Sequence, residues 1–224
     1  MIAPLGVVIP ALDAEATIAE VVQATRAVLP HAFVIVVDDG SRDRTGQAAH
    51  AAGAALVRFP RNRGKGAALR AGIAAAVSRE AAAILTLDAD GQHDPAAAPA
   101  LLAALQDADI AIGTRARRGT AMPLRRRITN ALASSAVGRI VGVPVADSQS
   151  GFRAFRRRVA LEIQGRGDRF EYETDFLIRA ARAGLRIAAV PVPTVYGGRS
   201  HFRPLTDSAR IVRTLWRHRT GVSS

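Results

Sequence analysis

Two short runs of mostly β-branched residues, Leu5 to Ile9 and Phe33 to Val37, flank a segment in which Ile18, Val21, Val22, Thr25 and Leu29 recur at helical spacing. Runs this apolar read as strands buried on both faces, which requires helices packed above and below them. With Asp13 as the expected N-cap of the intervening helix, the segment is a βαβ unit. The alternation continues. A helix from about Asp43 stops near Gly53, a strand covers Ala55 to Arg58, and a helix covers Lys65 to Arg79. A strand follows at Ile84 to Leu87, then a helix opened by Asp94-Pro95 and a strand at Asp109 to Gly113. Strands alternating with helices imply an α/β fold with a mostly parallel central sheet flanked by helices.

After Gly113 the rhythm changes to a basic loop, an apolar-striped helix around Ile128, Leu132 and Ile140, and a polar segment from Asp147 to Arg153. A helix over about Glu173 to Ala183, a strand at Ile187 to Pro191 and a last helix near Thr206 to His218 complete the chain. No linker or repeat interrupts it, so residues 1–224 read as a single domain with a C-terminal helical elaboration. The core must come from Ala, Val, Ile and Leu, because 49% of residues are hydrophobic and only 4% aromatic. The chain has no cysteine, which excludes disulfides, thiolate metal sites and cysteine nucleophiles. No charged leader precedes the first apolar stretch and no apolar run is long enough to span a bilayer, so a cytoplasmic protein is expected.

Charge is sorted by place. The net +12 attracts phosphates. Six arginines and no acid lie between Arg115 and Arg127, whereas acids cluster at Asp38-Asp39, at Asp88 to Asp94 and at Glu171 to Asp175. Ligands of parallel sheets bind outside the carboxyl ends of the strands, and the first two acidic clusters sit where strands end. Asp88 and Asp90, one residue apart after a buried strand, need a neutralising partner. Hard oxygen ligands suit Mg2+ or Mn2+, which commonly binds through one or two carboxylates plus substrate phosphates. A pair of strand-end aspartates capping the next helix is the plainer alternative. Asp38-Asp39-Gly40-Ser41 suits either a ribose or base contact or a simple turn and helix cap. Arg61 to Gly66 places glycines and cations at a helix entrance, where free N–H groups favour an anion, with a solvated basic turn as the equal alternative.

Taken together, the motifs resemble the family-2 glycosyltransferases, especially the branch that resembles dolichol-phosphate mannosyltransferase and bacterial polyprenyl-phosphate sugar synthases. The matching stretches are VVIPALDAEATI, VVDDGSRDRT, RNRGKGAALRAGI, LTLDADGQHDP, IGTR, DSQSGFRAF, FEYETDFLI and YGGRSHFRP, in the expected order over nearly the whole chain. The resemblance implies a GT-A type nucleotide-sugar-binding fold, with the nucleotide-sugar half at about 1–115 and the acceptor side at about 116–224. It implies a nucleotide-diphosphate sugar donor, Mg2+ or Mn2+, and an inverting transfer to a polyprenyl phosphate or related lipid acceptor.

By the same resemblance Pro10, Ala11, Asp13, Glu15, Val37 and Asp39 surround the nucleoside. Asp88, Ala89, Asp90 and Gln92 lie at the diphosphate and metal. Arg115, Lys65, His201 and Arg203 reach the donor phosphates. The family's usual Tyr-Asn-Glu is here Leu12-Asp13-Ala14, with Glu15 one place later, which leaves the base contact and donor preference open. Arg125, Arg126 and Arg153 are candidate ligands of an acceptor phosphate, since arginine suits bidentate phosphate contact. A hydroxyl acceptor would need a base, for which Asp147, Glu173 and Asp175 are candidates. First-turn acids of a helix are the alternative role for Glu173 and Asp175.

The last helix sets Ile211, Val212, Leu215 and Trp216 on one side, with Arg210, Arg213, Arg217 and Arg219 elsewhere around it. That stripe suits packing against the domain or a peripheral contact with a membrane surface. A nucleic-acid-binding module is disfavoured by sparse aromatics and by acids at the strand ends. A domain that binds a nucleotide sugar without turning it over is the remaining alternative.

Overall fold

The computed structural model describes residues 3–115, 138 and 150–193, and in the C-terminal segment 210, 212–214 and 216–218. Its elements are β1 (Leu5–Ala11), α1 (Ile18–Val28), β2 (Phe33–Asp38), α2 (Thr45–Ala51), β3 (Ala55–Arg58), α3 (Lys65–Ser78) and β4 (Ala83–Thr86). They continue as a 3-10 turn (Pro95–Ala97), α4 (Ala98–Ala104), β5 (Ile110–Arg115), β6 (Arg153–Arg156), α5 (Arg157–Glu162), α6 (Glu171–Arg182) and β7 (Ile187–Val192).

The described strands form one seven-stranded sheet in the order β3-β2-β1-β4-β6-β5-β7. β1 pairs in parallel with β2 and β4, β2 with β3, and β5 with β7; β6 alone runs antiparallel, between β4 and β5. Side chains alternate across the pleat. Val8, Ile35, Val37, Ile84, Ile110 and Phe155 join a core beneath α3, α5 and α6. Val7, Ile9, Val34, Val36, Leu85 and Ala154 join a second core with α1 and α4 on the opposite face. Burial on both faces explains the uninterrupted apolar runs of β1 and β2. Helix α1 buries Ile18, Val21 and Val22, each contributing about 1.5–3 kcal/mol.

Two expectations about local structure change. β6 begins at Arg153, the last residue of the expected polar segment, and runs on through residues for which no element was expected. Arg153 opens this strand, and its guanidinium is carried inside by carbonyl partners: Nε donates to Ser150 O at 2.7 Å and Nη1 to Glu173 O at 2.9 Å. Asp13 is not the N-cap of α1. That position is Thr17, and Asp13 sits at φ +46° with Oδ1 accepting the Arg42 N–H at 2.8 Å. Asp94 does cap the turn that it opens, accepting the Ala96 N–H at 2.8 Å.

β1, β2 and β3 build the sheet outward in one direction, and β4 then joins on the other side of β1. The reversal leaves a crevice beyond the carboxyl ends of β1 and β4, where open α/β sheets bind ligands.

Candidate active site

A cleft of about 770 Å³ fills that crevice. Its walls are the segment from Pro10 to Thr17 after β1, Asp39 and Asp43 after β2, and Asn62, Gly64 and Lys65 at the entrance to α3. Asp88, Ala89 and Asp90 after β4 and Arg169-Phe170 ahead of α6 complete it. Pro10, Ala11, Asp13, Glu15, Asp39, Lys65, Asp88, Ala89 and Asp90, all expected at the donor site, are thus brought together. Leu12, Asn62, Arg169 and Phe170 also line it. Of these Leu12, Asn62 and Phe170 had a signal, since they lie in the stretches VVIPALDAEATI, RNRGKGAALRAGI and FEYETDFLI, whereas Arg169 is an ordinary loop residue in the sequence.

Most acids on the Asp13 to Asp43 side of the cleft hold loops in place. Asp39 accepts the backbone N–H groups of Arg63 and Gly64, at 2.7 and 2.8 Å, tying β2 to the loop before α3. Burial raises its carboxyl above the ordinary range, and those two N–H groups partly offset the rise. Glu15 accepts from the Arg44 backbone at 3.1 Å and pairs with the Arg44 guanidinium at 2.6 Å, and the backbone bond followed by the side-chain bond lowers its pKa. Val37 is a correction. It is fully buried in β2, packed into the α3-side core, and does not reach the cleft.

At the far end, Lys65 Nζ lies 2.7 Å from Asp88 Oδ1 and 2.8 Å from Glu173 Oε1. Burial works to lower the Lys65 pKa, but the attraction of the two carboxylates outweighs it, so the ammonium is held protonated well above its usual range. Burial dominates for Glu173 and pushes its carboxyl up against the attraction of Lys65 and Arg153. Asp88 is seated against Gly151, where a Cβ would stand 2.3 Å from Oδ1 and 2.4 Å from Oδ2. Gly151 is in turn fixed by the Thr86 hydroxyl, which donates to its carbonyl at 2.7 Å. Gln92 acts through its backbone, its N–H donating to Asp90 Oδ1 at 3.1 Å.

Among the described residues no group of three or more His, Cys, Asp or Glu side chains forms a metal cage. Two cleft carboxylates nevertheless fit a hard divalent cation that draws its other ligands from a diphosphate.

The entrance to α3 differs from the expected open anion site. The Gly66 and Ala67 N–H groups donate to the Asp168 carbonyl at 2.8 and 3.3 Å, so the loop before α6 caps the helix. The glycines serve that contact: Gly64 has φ +100°, and a Cβ there would stand 2.1 Å from Asp168 O.

Three further site residues are placed differently from expectation. Arg153 is 3% exposed and bonded to carbonyls, so it is an internal strut and not a surface ligand of an acceptor phosphate. Glu173, 1% exposed, lies beneath the cleft and, among the described residues, meets it through Lys65. Asp175 faces away. Two positions along a helix turn the side chain by about 200°. Asp175 Oδ2 therefore accepts from Arg166 N and Arg179 Nε, at 2.7 and 2.6 Å, while Oδ1 meets His218 Nε2 at 2.8 Å. With the Arg210–Glu171 pair at 3.6 Å, this anchors the C-terminal helix to α6. In that helix Thr214 is buried, whereas Val212 and Trp216 are 62% and 65% exposed. Asp175→Asn is expected to lower unfolding stability by about 1–3 kcal/mol in urea titrations while nucleotide binding is unchanged. Loss of turnover with unfolding stability unchanged would instead mark Asp175 as a base in the reaction.

Arg115 ends β5, paired with Val192. Its side chain, and Arg125, Arg126, Asp147, His201 and Arg203, lie outside the described residues.

The model of glycosyl transferase family 2 matches residues 6–163. The undecaprenyl-phosphate mannosyltransferase of Micrococcus luteus is 32% identical over 183 residues, 76% of this chain and 74% of that protein. The polyprenol monophosphomannose synthase of Mycolicibacterium smegmatis is 30% identical over 201 residues, 83% of this chain and 75% of that protein. Among solved structures, glucosyl-3-phosphoglycerate synthase from Mycobacterium tuberculosis in complex with Mn2+, uridine-diphosphate-glucose and phosphoglyceric acid aligns with a TM-score of 0.79. It is 26% identical, and the match covers 98% of this chain and 80% of that one. The family match takes in the strand ends that carry Asp39, Asp88 and Asp90, and with it the cleft acquires an identity: this chain belongs to glycosyl transferase family 2 and is a GT-A type glycosyltransferase.

Proposed function

We propose that the protein moves a sugar from a nucleotide-diphosphate donor to a polyprenyl phosphate, with inversion at the anomeric carbon and with Mg2+ or Mn2+ at Asp88 and Asp90. The observation that carries this reading is the pair of carboxylates at the β1/β4 switch point, in a cleft large enough for a nucleotide sugar. The names of the two polyprenyl-phosphate relatives support the acceptor.

In this reading Pro10, Ala11, Asp13 and Asp39 surround the nucleoside, while Asp88 and Asp90 hold the cation, which supplies charge neutralisation for the departing diphosphate. Arg115, His201 and Arg203 add positive charge on the donor side, and Arg125 and Arg126 orient the acceptor phosphate. The bond from the anomeric carbon to the β-phosphate oxygen breaks as a bond to the acceptor phosphate oxygen forms. The lipid phosphate is already anionic near neutral pH, so the step requires no general base. The seclusion of Glu173 and Asp175 from the cleft accords with that.

Residues 1–224 act as one domain in this proposal, with a donor half to about residue 115 and an acceptor half beyond it. No helix among the described residues is long and apolar enough to cross a membrane. A peripheral contact fits the exposed Val212 and Trp216, which share their helix with exposed Arg210, Arg213 and Arg217. The likeness to a synthase crystallised with phosphoglyceric acid favours a second reading, in which the acceptor is a small soluble molecule.

Labelled uridine- and guanosine-diphosphate sugars incubated with Mn2+ and polyprenyl phosphate separate the two readings. Label is expected in the organic phase and to depend on the metal. Label only in a water-soluble product overturns the lipid acceptor, and equal transfer in chelator overturns the metal.

A further inference from the structure

The carboxylate expected to bind a metal already carries a cation of the protein's own. Lys65 Nζ lies 2.7 Å from Asp88 Oδ1, in a setting that holds the ammonium in one place. Glu173 draws it from below at 2.8 Å, and the Phe170 ring centroid lies 5.4 Å away. Asp88 packs closely on Gly151, whose Cβ, if present, would stand 2.3 and 2.4 Å from its two oxygens.

We infer that Lys65 is an internal counter-cation of Asp88 that keeps free divalent metal out of the site and admits it together with a nucleoside diphosphate. The inference rests on the proposed metal role of Asp88 and Asp90. A divalent ion arriving alone meets an ammonium on the same oxygen and must either share that carboxylate with a like charge or displace it. A diphosphate changes the balance, because it brings negative oxygens that accept both the metal and the ammonium. Glu173 is the tether. It gives Lys65 a second carboxylate when Asp88 turns to the metal, so the ammonium stays in the cleft beside the incoming phosphates. Lys65 and Glu173 are therefore positioning residues that set the order of binding.

The decisive feature is one of sign. A lysine that only grips donor phosphates would, when removed, weaken nucleotide binding and leave metal binding alone unaffected. A counter-cation, when removed, tightens binding of the metal alone. Mn2+ is titrated into the protein without nucleotide, and the free ion is followed by electron paramagnetic resonance. Lys65→Met is expected to bind Mn2+ at least about tenfold more tightly than the unaltered protein, since an adjacent opposite charge alters a carboxylate's affinity for a cation by one or more orders of magnitude. Lys65→Arg, which keeps the charge, is expected to stay weak.

Lys65→Met leaves Glu173 buried beside a vacated charge and risks misfolding. The double variant Lys65→Met/Glu173→Gln removes that cost and is expected to show the same gain. In the presence of uridine or guanosine diphosphate, the increase in Mn2+ affinity caused by nucleotide is expected to shrink in both variants. Unchanged or weaker binding of Mn2+ alone in the folded double variant overturns the inference. Asp90→Asn added to the double variant separates this failure from that of the underlying site assignment. A gain that Asp90→Asn abolishes supports both, whereas a gain indifferent to Asp90 places the metal elsewhere and overturns the two together.

Discussion

Asp90→Asn is expected to reduce sugar transfer by about 100- to 1000-fold, the range seen when one preorganised group that stabilises developing charge is removed. Asp90 lines the cleft beyond β4, and its carboxylate accepts the Gln92 N–H at 3.1 Å. The amide oxygen of asparagine can still accept that bond, so the turn is preserved while the charge is lost. Thermal unfolding of the variant should therefore match that of the unaltered protein within about 0.5 kcal/mol, the usual range for changes away from the core. Turnover with a nucleotide sugar, Mn2+ and polyprenyl phosphate is the measurement, and full activity would remove Asp90 from the reaction.

Gly151→Ala is expected to produce the second large loss, at a residue that need not touch any substrate. The added Cβ would stand 2.3 Å from Asp88 Oδ1, so one of the two must move. The backbone of Gly151 is held by the Thr86 hydroxyl and is followed directly by the fully buried Phe152, whereas Asp88 ends in a rotatable carboxylate. The carboxylate yields, its contact with Lys65 is disturbed, and the metal position proposed at Asp88 is lost. Overpacking of this kind costs about 1–3 kcal/mol of stability, and misplacing a reacting group by about 1 Å costs on the order of 100-fold in rate. Kinetics alongside thermal unfolding distinguishes this from general destabilisation. Turnover within about threefold of the original, on the scale of that 100-fold expectation, would show that the two groups accommodate each other.

The same neighbourhood shows where sequence patterns carry positional information. The aspartates after β2 and β4 could be placed at the ligand end of the sheet because each follows an apolar strand, and strand ends in a parallel sheet face one edge. Val37, which the resemblance implied at the nucleoside, lies in β2 one position before the strand's last residue, and its side chain joins the core on the α3 side. Glu173 and Asp175 lie in a single motif, and helical periodicity alone separates them onto opposite sides of α6. That distinction was available from the spacing once the helix was drawn. Arg153 is different, since no local rule says that an arginine opening a strand will be buried. Its carbonyl partners at Ser150 and Glu173 come from a turn and a helix that only the folded chain brings together.

Local patterns along the chain were enough for the αβ alternation, the parallel core strands, the positions of Asp39, Asp88 and Asp90 at strand ends, and the family. These rest on periodicity, turn chemistry and short motifs, which act over a few residues. The tertiary structure decided that β6 enters antiparallel between β4 and β5, that the loop before α6 caps α3, and that Lys65 joins Asp88 to Glu173. Each of these depends on pairing across tens to more than a hundred positions, and no local propensity specifies which distant carboxylate or carbonyl will meet a given lysine or amide. The acidic segment marks the candidate site, and the cation already standing against Asp88 is known only from the fold.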